Sequence, residues 1–485
     1  PILSENCFRC HGEKDKGDLR LDSREDALKA IAPGDADASE LIARITTDDE
    51  DDRMPPTGDA IDPTHVKRLR EWIDSGAEWP ARPVTPDEVA VPNLVSDEAF
   101  LRRVSLDTFG IPPIEAEVFA FRADKHPDKR TIAIQQLLND ERCADHFVSE
   151  WLDLLAENPT LLNQSQGSTG PFRFFLYDSL RDRKPLDRLV TELILMRGGQ
   201  HEGGSAGFAM AAENDAPFAA KGHIVASAFL GIELQCARCH DSPYHDTTQR
   251  DLFSLAAMFQ RKPASAPTSS QVPVGFFEGK QGDALIQVTL KPGDAVPPEW
   301  PFADVTGAAD GPLIDRLMRD SGDHRERLAA LITSPENRRF SQVIVNRLWR
   351  RLMGAGLVEP AHDWEGADPS HQKLLDWLAK ELVSHNYDLR HVAALIMTSL
   401  AYQSEAVGDN LAAPPDRRFF LAPDRRRLSA EQIVDSLYAA TGVKMNIGKL
   451  TFVHDGRRNL SNRQMLGYPT RAWMLASLNN ERDRP

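Results

Sequence analysis

Two identical cysteine–histidine motifs are the strongest chemical signal in this 485-residue chain, and they contain four of its five cysteines. The motifs read Cys7-Phe8-Arg9-Cys10-His11 and Cys236-Ala237-Arg238-Cys239-His240. Two thiols followed by a histidine suit covalent haem attachment, because the thiols bond the two vinyl groups while the histidine binds the iron. Zinc would need further ligands at matching spacing, and disulfides would not need the histidines. The sequence therefore predicts two covalently bound haem c groups, attached through Cys7, Cys10, Cys236 and Cys239, with iron ligands His11 and His240.

Met54 is the predicted second axial ligand of the first haem iron. It lies 43 residues after His11, in a predicted loop, and Pro55 and Pro56 follow it. The two prolines keep the backbone extended and stiff, which would help to aim the thioether at the iron. A methionine opposite a histidine raises the reduction potential relative to two histidines. The alternative interpretation is that Met54 is an apolar plug in its loop.

The second haem has two predicted axial ligands, and the sequence leaves the choice open. His223 lies 13 residues before Cys236 on a predicted helix, whereas His245 lies five residues after His240. Either imidazole could instead hydrogen-bond a haem propionate or cap a helix, and Met258 is a further alternative ligand. An open sixth position would turn this haem from an electron carrier into a catalyst.

The predicted cofactor also indicates the compartment. Haem c is attached outside the cytoplasm, so we expect the protein in the periplasm or outside the cell. The first motif begins at Cys7, too close to Pro1 for a complete supporting helix, and we therefore expect a longer precursor. The sequence has no apolar run long enough to span a bilayer, which predicts no transmembrane segment.

The distribution of charge along the chain indicates which kinds of binding partner to expect. The net charge is −16, and residues 1–80 hold 11 basic against 20 acidic residues, a net of −9. This balance argues against nucleic acid, whose phosphates require a basic surface. It permits a basic redox protein partner, and we expect the acidic loop at residues 48–52 to dock it near the first haem. A merely solvated acidic face is the alternative.

Arginine clusters such as Arg425-Arg426-Arg427 are interpreted as ion-pairing groups, or alternatively as a site for propionates or another anion.

Apolar periodicity predicts a mainly α-helical fold made of a small N-terminal cytochrome c-like domain and larger helical domains. Alternating apolar residues, among them Val272, Val274 and Phe276, predict a small β insertion. The predicted helices include residues 63–75, 186–196, 221–231, 374–383, 392–400 and 430–440. The predicted organisation is a cytochrome c-like domain at 1–80, a proline-rich linker at 81–95, a helical domain with the second haem motif at 96–262, the β insertion at 263–312 and a C-terminal helical domain at 313–485.

The chain also resembles a known domain arrangement. Residues 7–80 resemble the planctomycete-type cytochrome c domain, and the later segments resemble the two uncharacterised domains that usually accompany it, a central haem-motif domain and a C-terminal helical domain. The resemblance rests on Arg53-Met54-Pro55-Pro56, on Phe229-Leu230-Gly231, and on residues 69–77, 100–107, 110–113, 248–253, 346–349, 356–358, 371, 375–378 and 427–431. Ser242 departs from the pattern, because many relatives have a histidine there.

The resemblance implies an exported bacterial protein. Many relatives are encoded beside a secreted sulfatase- or phosphatase-like protein, which implies such a protein as a redox partner. The leading hypothesis is a two-haem protein that carries electrons between a partner and its haems. A second hypothesis is a haem-dependent oxidoreductase with catalysis at the second haem, acting on a carbohydrate for instance. A third is a structural subunit of a secreted complex whose haems only stabilise the fold.

Overall fold

The computed structural model describes residues 2–12, 19–21, 24–47, 49, 52–56, 60–77, 92–156, 169–198, 204–210, 216–267 and 287–442. It divides into two compact units, Pro1–Val89 and Ala90–Pro485. Residues 81–91 of the predicted linker and the predicted β residues Val272, Val274 and Phe276 lie outside the described part.

The first unit contains short helices around a small apolar core. Its helices are α1 (Ile2–Asn6), α2 (Phe8–His11), α3 (Arg24–Ala27), α4 (Glu40–Thr46) and α5 (Pro63–Asp74). Leu41, Ile42 and Ile45 of α4 are buried against Leu69 and Ile73 of α5 in one cluster. Cys7 and Phe8 of the first cysteine–histidine motif pack against this cluster.

Helix α5 shows how local sequence determines its bounds. The carboxylate of Asp62 accepts a hydrogen bond from Thr64 N at 2.7 Å and caps the helix, while Pro63 occupies the first helical position, where a missing N–H costs nothing. The helix ends at Asp74, and Gly76 follows with a φ of 107°. The predicted start of this helix is confirmed, and it ends one residue before the predicted end.

The second unit is built from longer helices. They are α6 (Asp97–Phe109), α7 (Glu115–Ala123), α8 (Lys129–Asn139), α9 (Glu141–Leu154), α10 (Thr169–Arg181), α11 (Leu186–Leu195), α12 (Pro217–Leu230), α13 (Gln249–Gln260), α14 (Ala303–Thr306), α15 (Pro312–Leu317), α16 (His324–Thr333), α17 (Arg338–Met353), α18 (Gln372–Ser384), α19 (Leu389–Thr398), α20 (Leu400–Gln403) and α21 (Ala430–Thr441). Short 3-10 helices cover Gly204–Met210, Cys236–Arg238 and Pro415–Arg417.

One apolar cluster forms the core of this unit, and Phe100, Phe172, Phe229, Phe340 and Tyr402 are fully buried in it. Phe100 lies on α6 and Tyr402 lies on α20, so the segments before and after the second cysteine–histidine motif share this core. Truncating one such aromatic side chain to alanine typically costs about 3–5 kcal/mol.

Helix α12 leads into the second cysteine–histidine motif, and it packs against α13 and α17. Arg347 on α17 binds carbonyl oxygens near the end of α12. It donates from Nε to Ala228 O at 2.9 Å and from Nη2 to Ser227 O at 2.7 Å. Burial lowers the pKa of Arg347 to about 10. The helix ends at Leu230 and is followed by Gly231, whose φ of 61° is left-handed.

A two-stranded antiparallel sheet interrupts the helices. Strand β1 (Ala264–Ser265) pairs with β2 (Ala295–Val296), with Ala264 opposite Val296. The prediction of a mainly α-helical protein with a small β element is confirmed. Throughout the residues described, no helix combines the length and the apolarity that crossing a membrane requires.

Arginines of the predicted clusters form ion pairs with carboxylates. Arg426 donates from Nη2 to Asp107 Oδ1 at 2.9 Å, and Arg350 donates from Nε to Glu359 Oε1 at 2.9 Å. Tyr402 OH also donates to Asp107 Oδ2, at 2.7 Å. The buried Asp107 carboxylate thus links α6 to residues more than 290 positions later, through a tyrosine and an arginine.

Candidate functional site

The first cysteine–histidine motif forms a single helical turn. Cys10 N and His11 N both donate to Cys7 O, at 3.1 and 2.9 Å. Both thiols are free. His11 Nδ1 lies 3.2 Å from Leu19 O, and because a carbonyl only accepts, Nδ1 is the protonated nitrogen of the ring. The lone pair is then on Nε2, the nitrogen that can bind iron.

Met54 and Cys7 pack against the same apolar core of the first unit, together with Phe8. Burial raises the pKa of the Cys7 thiol to about 11. The backbone N–H of Met54 donates to Arg44 O at 2.9 Å, which ties the methionine loop to α4. The structure therefore places the predicted axial methionine on the cluster that also carries the first motif.

The second motif has the same local geometry. Cys239 N and His240 N both donate to Cys236 O, at 3.1 and 3.2 Å. Its two thiols are free. His240 Nδ1 lies 2.8 Å from Asp241 O, so here too the ring donates from Nδ1 and keeps its lone pair on Nε2.

Asp241 and Gln249 anchor the second motif to the start of α13. Asp241 Oδ1 accepts hydrogen bonds from Gln249 N at 2.8 Å and from Thr289 Oγ1 at 2.9 Å. The buried Gln249 amide oxygen in turn accepts from Thr289 N at 3.1 Å and from Leu290 N at 3.0 Å. Helix α13 begins with a capping box in which Thr248 and Asp251 bind each other's backbone N–H. The residue after His240 is thus held from two segments, the start of α13 and the segment around Thr289.

His223 lies on α12 beside the segment that leads into the second motif. Its Nδ1 is 3.4 Å from Glu233 Oε1. The same carboxylate oxygen accepts a hydrogen bond from Gln235 N at 2.6 Å, one residue before Cys236. One carboxylate therefore connects the His223 ring with the turn that carries the thiols. Most other residues of this helix are buried, among them Ile224 and Phe229.

His245 is hydrogen-bonded through both ring nitrogens. Its Nδ1 is 2.9 Å from Ser242 Oγ, and its Nε2 is 2.7 Å from Asp363 Oδ2. Since a carboxylate only accepts, Nε2 donates to Asp363 and Nδ1 accepts from the Ser242 hydroxyl. Ser242 Oγ also accepts from Tyr244 N and His245 N, at 3.3 and 3.2 Å, so the hydroxyl stabilises the turn.

A second segment far along the chain supports this loop. Glu365 Oε1 accepts from Asp246 N at 2.6 Å, and Trp364 N donates to Gly231 O at 2.9 Å. The Arg339 guanidinium lies over the Trp364 ring, 4.7 Å from its centroid, and donates to Leu230 O. Sequence reasoning missed these residues, because nothing in their local pattern marks them as neighbours of a motif more than 100 positions earlier.

The residues of both motifs fit covalently attached haem c. Each motif has two free thiols on one turn and a histidine whose Nδ1 faces a carbonyl. A haem held in this way would supply reversible one-electron chemistry at its iron.

Comparison with known protein families gives three matches along the chain. Residues 7–58 match the family described as planctomycete cytochrome C. This segment is therefore similar to a planctomycete cytochrome c domain. Residues 81–264 match a protein family of unknown function, DUF1549, and residues 324–465 match a second one, DUF1553. The searches of curated proteins and of solved structures each gave no match.

The three matches occur in the expected order from the N-terminus to the C-terminus, which confirms the predicted resemblance. The cytochrome c domain indicates a c-type cytochrome, and it implies covalently bound haem c. The second cysteine–histidine motif lies within the DUF1549 match, outside the cytochrome c domain.

Proposed function

We propose that this protein is an exported two-haem c-type cytochrome that passes electrons between a redox partner and its haems. The observation that carries the proposal is the shared geometry of the two motifs. In each motif, the backbone N–H groups of the second cysteine and of the histidine donate to the carbonyl oxygen of the first cysteine. The histidine Nδ1 faces a backbone carbonyl oxygen, at 3.2 Å for His11 and 2.8 Å for His240. Because the first motif belongs to a cytochrome c domain, the matching second motif supports a second haem.

For the first haem we propose Met54 as the ligand opposite His11. Its place on the same apolar cluster as Cys7, and the hydrogen bond that ties its backbone to α4, support this assignment. An apolar surround and a thioether ligand both favour the reduced iron, so this haem would be the one of higher potential.

For the second haem we propose His223 as the ligand opposite His240. The Glu233 carboxylate facing His223 Nδ1 favours a proton on that nitrogen, which leaves the lone pair on Nε2. His245, by contrast, uses its lone pair to accept from Ser242 and its proton to bind Asp363. His245 could become a ligand only after breaking at least one of these bonds.

The contacts of His245 favour one second candidate function, a haem-dependent oxidoreductase. An imidazole hydrogen-bonded to a carboxylate can hold and transfer a proton, and this pair lies in the loop directly after the second motif. Such an enzyme would need an open iron position at the second haem. Binding of carbon monoxide by the reduced protein would support this candidate, whereas two low-spin haems that exclude it would support electron transfer.

We propose that the partner is a basic redox protein, and that a secreted sulfatase- or phosphatase-like protein is one form of it. The acidic first unit supports a basic surface on the partner. Within the acidic loop, Asp52 is exposed and pairs with Arg44 at 2.8 Å. Replacing Asp49 and Asp52 with asparagine should slow reduction by a cationic donor and flatten its salt dependence. Rates that do not change would support a solvated acidic face without a docking role.

Haem stoichiometry tests the two-haem proposal. The full chain, produced with haem c maturation, should retain two haems after denaturation, by pyridine haemochrome absorption and by mass. The Cys7→Ala/Cys10→Ala and Cys236→Ala/Cys239→Ala variants should each retain one. Cys143→Ala is the matched control, because Cys143 is a buried thiol outside both motifs, and it should retain two. A single haem in the wild type, with the Cys236→Ala/Cys239→Ala variant unchanged, would overturn the proposal.

Reduction kinetics test the electron-transfer role. Both haems should be reduced by a small donor and reoxidised by a small acceptor within one cycle, with no loss of absorption. If the haems are bound but neither is reduced at accessible potentials, the protein would instead be a structural subunit of a complex.

A further inference from the structure

A compact group of one carboxylate and two imidazoles lies where α18 ends and α19 begins. Glu381 occupies the last turns of α18, His385 follows directly after that helix, and His391 is in the first turn of α19. One potential ligand atom from each residue lies within 4.8 Å of the others. None of the three belongs to the haem motifs or to their supports.

The distances within this group suit a metal ion. Glu381 Oε2 is 3.0 Å from His391 Nε2 and 3.4 Å from His385 Nδ1. Zinc holds nitrogen and oxygen ligands at about 2.0–2.1 Å, so two of its tetrahedral ligand atoms are roughly 3.3 Å apart. The observed separations lie on either side of that value.

The two imidazoles of this group stack on each other. Their ring centroids are 3.6 Å apart and the rings are inclined by 16°. His385 Nδ1 also lies 3.0 Å from Glu381 O and 3.2 Å from Ser384 Oγ, so its ring must turn or lose that contact on binding a metal. Because its side chain is 47% exposed, the ring has room to do so.

We propose that Glu381, His385 and His391 bind a divalent transition-metal ion of the zinc type. Two imidazoles and a carboxylate are ligands that Zn²⁺ accepts, and the remaining coordination position would hold water, since the site is partly open to solvent. The ion would join the end of α18 to the start of α19. Through these helices it would stabilise the C-terminal part of the second unit, because binding to the folded state alone raises stability.

Zinc titration of the full haem-loaded chain tests the proposal. Competition with a chromogenic chelator at pH 7.5 should reveal one Zn²⁺ site, and His391→Asn and Glu381→Gln should each weaken it at least about tenfold. Binding should also weaken at acidic pH, because protons compete for the imidazoles. His126→Asn is the matched control, since His126 is an exposed histidine outside the group, and its affinity should equal that of the wild type.

Thermal unfolding gives an independent readout that does not depend on haem spectra. Zinc should raise the unfolding temperature of the wild type and of His126→Asn, and should leave that of His391→Asn unchanged. The zinc-free unfolding temperatures of the variants show whether they fold as the wild type does. Should Glu381→Gln and His391→Asn fold normally and bind zinc as tightly as the wild type, the site would be refuted. Loss of binding in His126→Asn alone would refute it equally.

Discussion

His245 Nε2 lies 2.7 Å from Asp363 Oδ2, and this hydrogen bond spans 118 residues of the chain. It connects the loop after the second cysteine–histidine motif with a segment between α17 and α18. The neighbouring bond from Asp246 N to Glu365 strengthens the same connection. The position of the second motif therefore depends on residues that lie outside the matched DUF1549 segment and inside the matched DUF1553 segment.

Removing the Asp363 carboxylate should destabilise this connection. In Asp363→Ala the His245 N–H loses its acceptor in a half-buried setting, which should lower the free energy of unfolding by about 1–3 kcal/mol. Denaturant unfolding of the haem-loaded protein measures the change. Asp368→Ala, an exposed carboxylate of the same segment, should change it by less than about 0.5 kcal/mol. Equal effects in the two variants would show that the hydrogen bond contributes nothing specific.

The ligand opposite His240 can be identified from two variants. His223→Ala should convert the second haem from low-spin to high-spin, because an imidazole leaves the iron. His245→Ala should lose stability as Asp363→Ala does, and its spectrum should stay low-spin. Absorption and paramagnetic resonance spectra distinguish these outcomes. A high-spin spectrum in His245→Ala alone would assign the ligand to His245, and a high-spin haem already present in the wild type would exclude both histidines.

Met54→Ala should change only the first haem. Loss of the thioether should abolish the near-infrared charge-transfer band from sulfur to iron and lower the reduction potential of that haem. A potentiometric titration followed by absorption measures both haems separately. Met318→Ala, a partly buried methionine of the second unit, is the control and should leave the band in place. A band that persists in Met54→Ala would remove Met54 from the site.

The limits of sequence reasoning follow from the range of the interactions involved. Local signals located α5, where Asp62, Pro63 and Gly76 act within a few residues. Periodicity did not reveal that α12 is buried on nearly all sides, because its burial depends on the helices packed around it. The two motifs were recognisable because their chemistry requires adjacent residues. Asp363 was not, because a carboxylate that accepts one hydrogen bond has no sequence pattern of its own. Its role depends on a tertiary contact that only the folded chain creates.

Gly231→Ala should be strongly destabilising for two reasons. Gly231 has a φ of 61°, which a residue with a Cβ adopts at a cost, and a Cβ there would lie 2.7 Å from Trp364 Cδ1. The Trp364 ring is buried and covered by Arg339, so it cannot move aside cheaply. We expect a loss of about 2–4 kcal/mol in the free energy of unfolding. Gly293→Ala has a similarly positive φ but no atom near the added Cβ, and it should cost about 1 kcal/mol.

Stability should also depend on pH through His146. Its ring, on α9, packs over Gly110, where a Cβ would lie 2.6 Å from Nδ1, and burial with the nearby Arg351 charge lowers the pKa of His146 from 6.5 to about 3. The folded protein therefore keeps this imidazole neutral at pH values where the unfolded chain binds a proton. The contribution of the neutral His146 ring to the free energy of unfolding is fully present above pH 6.5. It decreases as the pH falls from 6.5 toward 3.

Between pH 7 and pH 5 this single group should reduce the free energy of unfolding by about 2 kcal/mol. Denaturant unfolding of wild type and His146→Gln at both pH values measures the effect. The glutamine variant has no proton to gain, so its loss between the two pH values should be smaller by that amount, whatever its stability at pH 7. His126→Gln, which removes an exposed histidine, should lose as much as the wild type. An identical pH dependence in wild type and His146→Gln would show that His146 is protonated in the folded protein as readily as in the unfolded chain.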